Sequence, residues 1–169
     1  VGLRLAYAHP AVRARVHAAL LGTPVIGSLV RGADTARLAS TLGILVESGV
    51  PLLQALAAGA KVVRNLTLRA AVEDAARHVR EGASLHRALA GAKAFPPLFL
   101  HLVASGEASG RLAHMLSQAA RQQELENANR IRLLTGILEP AIIVAMGVVV
   151  LLVVLAVLLP IIEMNHLVR

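Results

Sequence analysis

With 169 residues, of which 56% are apolar, 2% aromatic and 16% charged, the chain suits one sizeable core and excludes a disordered or fibrous protein. Cysteine is absent, so disulfide frameworks, thiolate metal sites and cysteine nucleophiles are excluded as well. Seventeen Lys and Arg against ten Asp and Glu leave a net charge of +7, which fits nucleic acid, anionic lipid or an acidic protein, so the placement of the charge must choose among them.

Residues 1–32 carry Arg4, Arg13, Arg15 and Arg31 with no acid, and Pro10, Pro24 and several glycines interrupt them. They read as a basic juxtamembrane helix over 11–21, with Val12, Val16 and Leu20 on its apolar side, followed by a linker beside anionic headgroups. A solvated helix packed on the rest of the protein fits the same residues. Residues 35–48 predict a helix with Leu38, Leu42, Leu45 and Val46 inward, and Gly49-Val50-Pro51 turns it into a second helix over 52–63, an αα-hairpin.

In residues 66–80 the spacing of Leu68, Val72, Ala75 and Val79 marks one buried face, and Arg69, Glu73, Arg77 and Glu81 suggest an alternating ladder on the other. Asn65 is placed to cap this helix and Gly82 to end it. Ser84 caps a short helix closed by Gly91, and Pro97 opens another that holds Leu98, Phe99, Leu102 and Val103. The run Ser105-Gly106-Glu107-Ala108-Ser109-Gly110 breaks the pattern: Gly106 ends one helix, Ser109 caps the next, and Glu107 sits near the positive end of that helix dipole.

Nothing strong then interrupts the helical pattern until Pro140. Leu112, Met115, Leu116 and Ala119 can pack, whereas residues 121–130 are polar on nearly every side and read as a solvent-exposed neck. Gly136 and Pro140 are expected to kink the junction, and Glu139 to be interfacial or paired with another helix.

Residues 141–159 hold neither a charge nor a strong hydrogen-bonding side chain. At about 1.5 Å per residue they extend about 28 Å, close to the ~30 Å hydrocarbon of a bilayer, so they predict a transmembrane helix. Sixteen of the seventeen Lys and Arg and nine of the ten acids precede Ala141, leaving the whole excess on that side. Arg121, Arg130 and Arg132 lie near the span on one side and Arg169 alone beyond it, which places the N-terminal part in the cytoplasm and residues 163–169 in the periplasm.

The motifs of catalysis are missing. The seven histidines show no i, i+4 pair and no HExxH, and neither a Walker lysine loop nor GxGxxG is present. In Gly106-Glu107-Ala108-Ser109-Gly110 the serine stands one place late for a nucleophile elbow. A divalent cation on Glu107 lacks a second carboxylate nearby in sequence. The helix-turn-helix-like hairpin at Gly49 presents a second helix whose only charge is Lys61, a face for packing and not for phosphates or bases.

Three signatures recur together: Ala36-Arg37 through Leu42 followed by Glu47-Ser48-Gly49-Val50-Pro51-Leu52; Val79-Arg80-Glu81-Gly82-Ala83-Ser84-Leu85 followed by Phe95-Pro96-Pro97 and Ser105 through Leu112; and Leu138-Glu139-Pro140 opening a span that ends Leu159-Pro160-Ile161-Ile162. Over about residues 24–168 the chain resembles the inner-membrane platform family of type II secretion, general secretion pathway protein F, and its relatives in type IV pilus assembly. The resemblance implies an all-α fold: a cytoplasmic six-helix bundle of antiparallel hairpins, then a long neck helix and one C-terminal transmembrane helix. The expected division is 1–32 juxtamembrane helix and linker, 33–120 bundle, 121–140 polar neck, 141–162 span and 163–169 periplasmic tail.

Family members hold two such repeats and three spans, so this chain corresponds to the second repeat and last span; with Val1 in place of methionine it is expected to be a C-terminal part. The implied role is non-enzymatic, without cofactor or metal, in the bacterial inner membrane. The implied partners are the secretion ATPase, other platform proteins, pilin-like subunits, membrane lipid and further copies of the chain, with no nucleic acid. The candidate functional positions are Glu139 and Pro140, Gly106, Glu107 and Gly110, and Gly49 and Pro51. A membrane-anchored module binding nucleic acid or an anionic lipid surface is the alternative from another class.

Overall fold

The computed structural model describes residues 26–166, with side chains described over 26–137 and 140–156. The expected basic helix over 11–21 lies outside the described residues, as do residues 167–169 of the tail. Six helices and no strand occur among the described residues: α1 Ile26–Glu47, α2 Leu52–Val62, α3 Leu66–Arg80, α4 Leu85–Gly91, α5 Pro97–Ser109 and α6 Leu112–His166. The chain divides into two compact units after Ala128.

In the first unit each helix packs on the next in chain order, from α1 on α2 through α4 on α5. The core is aliphatic, with Leu38, Leu42, Leu56, Leu68, Leu89 and Leu116 fully buried, and Phe95 and Phe99 stack tilted at 47° with ring centroids 5.6 Å apart. Leu68, Val72 and Ala75 are buried and Val79 packs partly against them, as the periodicity of α3 requires. On α5, Phe99 and Val103 fill the inner face and Leu98 is exposed.

Three helix ends share one closure. At Gly49, Gly82 and Gly110 the backbone turns left-handed, with φ of 80°, 96° and 68°. The following amide reaches back to a carbonyl five residues earlier: Val50 to Leu45 at 2.9 Å, Ala83 to His78 at 3.0 Å, and Arg111 to Gly106 at 3.0 Å. The starts are capped as their residues suggest. Asn65 Oδ1 accepts from the amides of Thr67 and Leu68, Ser84 Oγ accepts from Arg87, and Pro97 supplies the first residue of α5.

Several expectations are corrected. Residues 26–32 are not linker but the first turns of α1, and Gly32 does not interrupt that helix. Its missing side chain lets α6 approach: a Cβ there would stand 2.5 Å from Asn127 Oδ1, and one at Gly43 would stand 2.8 Å from Ser117 Oγ. Because 43 meets 117 and 32 meets 127, α1 and the start of α6 run antiparallel. That contact also corrects the polar neck, since Gln123 is only 2% exposed and Asn127 is half-buried on the bundle.

The Ser105–Gly110 run does not break the helix either; α5 continues to Ser109, whose hydroxyl donates back to the Ser105 carbonyl instead of capping α6. The charge ladder on α3 is replaced by local bonds: Arg69 donates from Nε and Nη2 to the Val63 carbonyl, and Arg77 pairs with Asp74.

In the second unit α6 remains helical through Gly136 and Pro140. None of the residues in its most apolar eighteen-residue window is buried in protein. Side chains such as Ile143, 67% exposed, and Leu152, 61% exposed, would be costly in water, and the same exposure sets this helix apart from a core helix of the bundle. This is a membrane protein with one helix of spanning length and composition among the described residues.

Candidate functional site

The signature around Gly49 and that around Gly106 to Leu112 meet in space. The last turn of α1, with Val46 and Glu47, faces Gly110, Arg111 and the first three turns of α6 across an open cleft of about 450 Å³. Leu112, Ala113, His114, Ser117 and Arg121 complete its wall. Gly49 and Pro51 close the turn beyond Glu47, the Pro51 carbonyl accepting from the amides of Gln54 and Ala55 at 2.9 and 3.0 Å. Gly110 lies in the cleft wall itself, so its left-handed turn sets where Arg111 leaves α5 and where α6 begins.

Electrostatically the cleft is basic. Arg111, His114 and Arg121 are exposed on its α6 side, against Glu47 on the α1 side. Guanidinium groups on an open surface suit carboxylates of a protein partner. Arg111, His114 and Arg121 stand at i, i+3 and i+10, a spacing visible in the sequence, but they divide there among the Gly106–Leu112 signature, a packing stretch and the polar neck.

Gly106 and Glu107 have different duties. A Cβ on Gly106 would stand 3.0 Å from both Leu112 Cα and Met115 Cβ, so this glycine allows α5 and α6 to touch. Glu107 does not serve the dipole of the helix that follows it. Its carboxylate crosses to α4, where Oε1 accepts from the Leu85 amide at 2.6 Å and Oε2 from the His86 amide at 2.8 Å.

An equivalent clamp was not legible beforehand. Asp34, 1% exposed within α1, accepts from the Arg64 amide at 3.1 Å through Oδ1 and from the Asn65 amide at 2.8 Å through Oδ2, and pairs with Arg37. In sequence, Asp34 stands just before the helix expected over 35–48, and nothing local points to amides thirty residues away. Both carboxylates hold the two amides at a helix junction, so they serve the bundle and leave no free acid at the cleft beyond Glu47.

Among the described residues no group of three His, Asp or Glu is gathered for a metal ion. Glu139 and Pro140 belong to the second unit, within α6. Pro140 is exposed and, lacking an amide hydrogen, cannot donate to the carbonyl one turn before it.

Comparison with known proteins adds a lineage to this geometry. The sequence model of type II secretion system protein F matches residues 38–160. The chain is similar to type II secretion system protein F of Pseudomonas aeruginosa, 52% identical over 168 residues that cover 99% of this chain and 42% of that protein. It is 42% identical to type II secretion system protein F of Vibrio cholerae over 158 residues, 94% of this chain and 39% of that protein. It is also 37% identical to the type 4 fimbrial assembly protein PilC of Pseudomonas putida over 160 residues, 95% of this chain and 40% of that protein. The chain thus spans about two fifths of the length of these relatives.

Proposed function

The chain belongs to the type II secretion system protein F family, and from that premise we propose that it contributes a non-enzymatic inner-membrane platform element to a type II secretion or pilus-like machine. The observation that supports this most is the family match running without division through the bundle and the span, residues 38–160. On this reading the bundle lies in the cytoplasm and docks the assembly ATPase, α6 holds it to the membrane, and pilin-like subunits are assembled beside it. The residual link of the neck is then 129–140, beyond the part of α6 that packs on α1.

The basic cleft is the docking surface this reading favours, its Arg111 and Arg121 taking carboxylates of the ATPase. With the full chain in detergent, the double substitution Arg111→Glu and Arg121→Glu is expected to weaken retention of the ATPase at least about tenfold, as reversal of two docking charges should. Undiminished retention would remove the cleft from the interface. If the chain instead held duplex DNA at physiological salt and never the ATPase, the platform role would fall.

Glu139 is the second functional position. A carboxylate at a span is costly unless paired, and a positive group on a subunit or neighbouring helix would supply the pair. In the complete machine, Glu139→Gln is expected to depress secretion several-fold, while a phosphatase fused after Arg169 stays active in the periplasm. Normal secretion would sink the pairing, and an inactive phosphatase in the unsubstituted chain would reverse the orientation.

A further inference from the structure

Upstream of residues 141–159, α6 already presents an apolar surface. Leu133 and Ile137 are each 69% exposed, Ile131 is 52% exposed and Leu134 42%. Thr135, the hydroxyl residue among them, turns its Oγ1 to the carbonyls of Ile131 and Arg132, 3.0 Å from each, so its polar group is satisfied within the helix and needs no water. Between Arg132 and Glu163 the sequence holds one charged residue, Glu139.

A span beginning at Ala141 would leave this exposed patch in water, where a contiguous apolar surface is unfavourable. The patch is continuous with the lipid-facing surface of the same helix, and two arginines, Arg130 and Arg132, stand at its border as interfacial anchors do.

We infer that α6 meets the hydrocarbon of the bilayer from Leu133 onward, so that Leu133, Leu134 and Ile137 contact acyl chains and Glu139 stands inside the membrane and not at its edge. At about 1.5 Å per residue Glu139 lies about 9 Å along the helix beyond Leu133. Residues 133–159 extend about 40 Å, more than the ~30 Å hydrocarbon, an excess that tilt or local thickening of the bilayer absorbs. The polar link is then reduced to residues 129–132. This inference depends on α6 as a membrane helix and is independent of the platform role.

The absence of cysteine from the sequence makes the test direct. Single cysteines at Arg130, Leu133, Leu134 and Ile137, with Ile143→Cys as the lipid reference, carry a nitroxide in the full chain reconstituted in phosphatidylethanolamine and phosphatidylglycerol vesicles. Collision rates with oxygen, which concentrates in lipid, and with a water-soluble nickel chelate are then compared. Oxygen is expected to exceed nickel several-fold at Leu133→Cys, Leu134→Cys, Ile137→Cys and Ile143→Cys, and nickel to exceed oxygen at Arg130→Cys. Nickel dominance at 133–137 with oxygen dominance at 143 overturns the early boundary alone. Low collision with both reagents at 133–137 means protein covers the patch, which also overturns it, and nickel dominance at 143 overturns the span itself.

Discussion

Asp34→Ala is expected to destabilise the bundle by about 3 kcal/mol, the largest effect of any polar substitution among the described residues. The carboxylate is the acceptor for two successive amides, Arg64 and Asn65, at the turn between α2 and α3. Asn65 is itself buried, so its amide loses the acceptor at Asp34 Oδ2 where little solvent reaches. An orphaned buried amide costs about 1–3 kcal/mol, and the loss of the Arg37 pair adds little because that guanidinium is partly exposed. Asp34→Asn keeps one carbonyl oxygen but turns an amide donor toward other donors, so an intermediate loss is expected. Thermal unfolding of the detergent-solubilised chain followed by circular dichroism reads the series. Equal midpoints for the parent and Asp34→Ala would mean that water satisfies the two amides and that the clamp carries no stability.

Gly106→Val is expected to cost about 2–3 kcal/mol, for a steric and not a conformational reason. Gly106 lies within α5 and its φ is not left-handed. The obstacle is Leu112 Cα, a backbone atom at 3.0 Å from the added Cβ, with Met115 Cβ equally close. Methionine can shift its outer atoms, but the backbone of α6 cannot yield without separating the two helices. Gly91→Ala provides the contrast, since nothing stands within 4 Å of its Cβ and alanine favours a helix. Urea unfolding of the two variants should therefore move in different directions, and a Gly106→Val midpoint equal to that of the parent would show that the α5–α6 contact is loose.

What could be read beforehand follows the range of the interaction. Asn65, Ser84 and Pro97 act within three residues of themselves, and their capping roles were legible. So was the inner face of α3, because Leu68, Val72 and Ala75 repeat with the helix. Gly32 and Gly106 were read as breaks, since a local rule counts a glycine against a helix and cannot see the opposing Asn127 or Leu112 that makes it useful. Asp34 and Glu107 act across thirty and twenty-odd residues, and no local pattern announces such a partner. Of the site, the two signatures at Gly49 and Gly106–Leu112 were visible as motifs, whereas their meeting at one basic cleft required the antiparallel register of α1 and α6.

The two carboxylate clamps also differ in the order in which a ribosome delivers them. Asp34 is made before the amides it holds, so its acceptor is waiting when Arg64 and Asn65 emerge. Glu107 comes after Leu85 and His86, whose amides must remain hydrated until twenty-two further residues have been added to the first of them. At translation rates of about 5–20 residues per second this is an interval of about one to four seconds. The α2–α3 junction can therefore be secured while the chain is still growing, whereas the start of α4, a helix of seven residues, acquires its second-side support only once α5 has been synthesised and has docked.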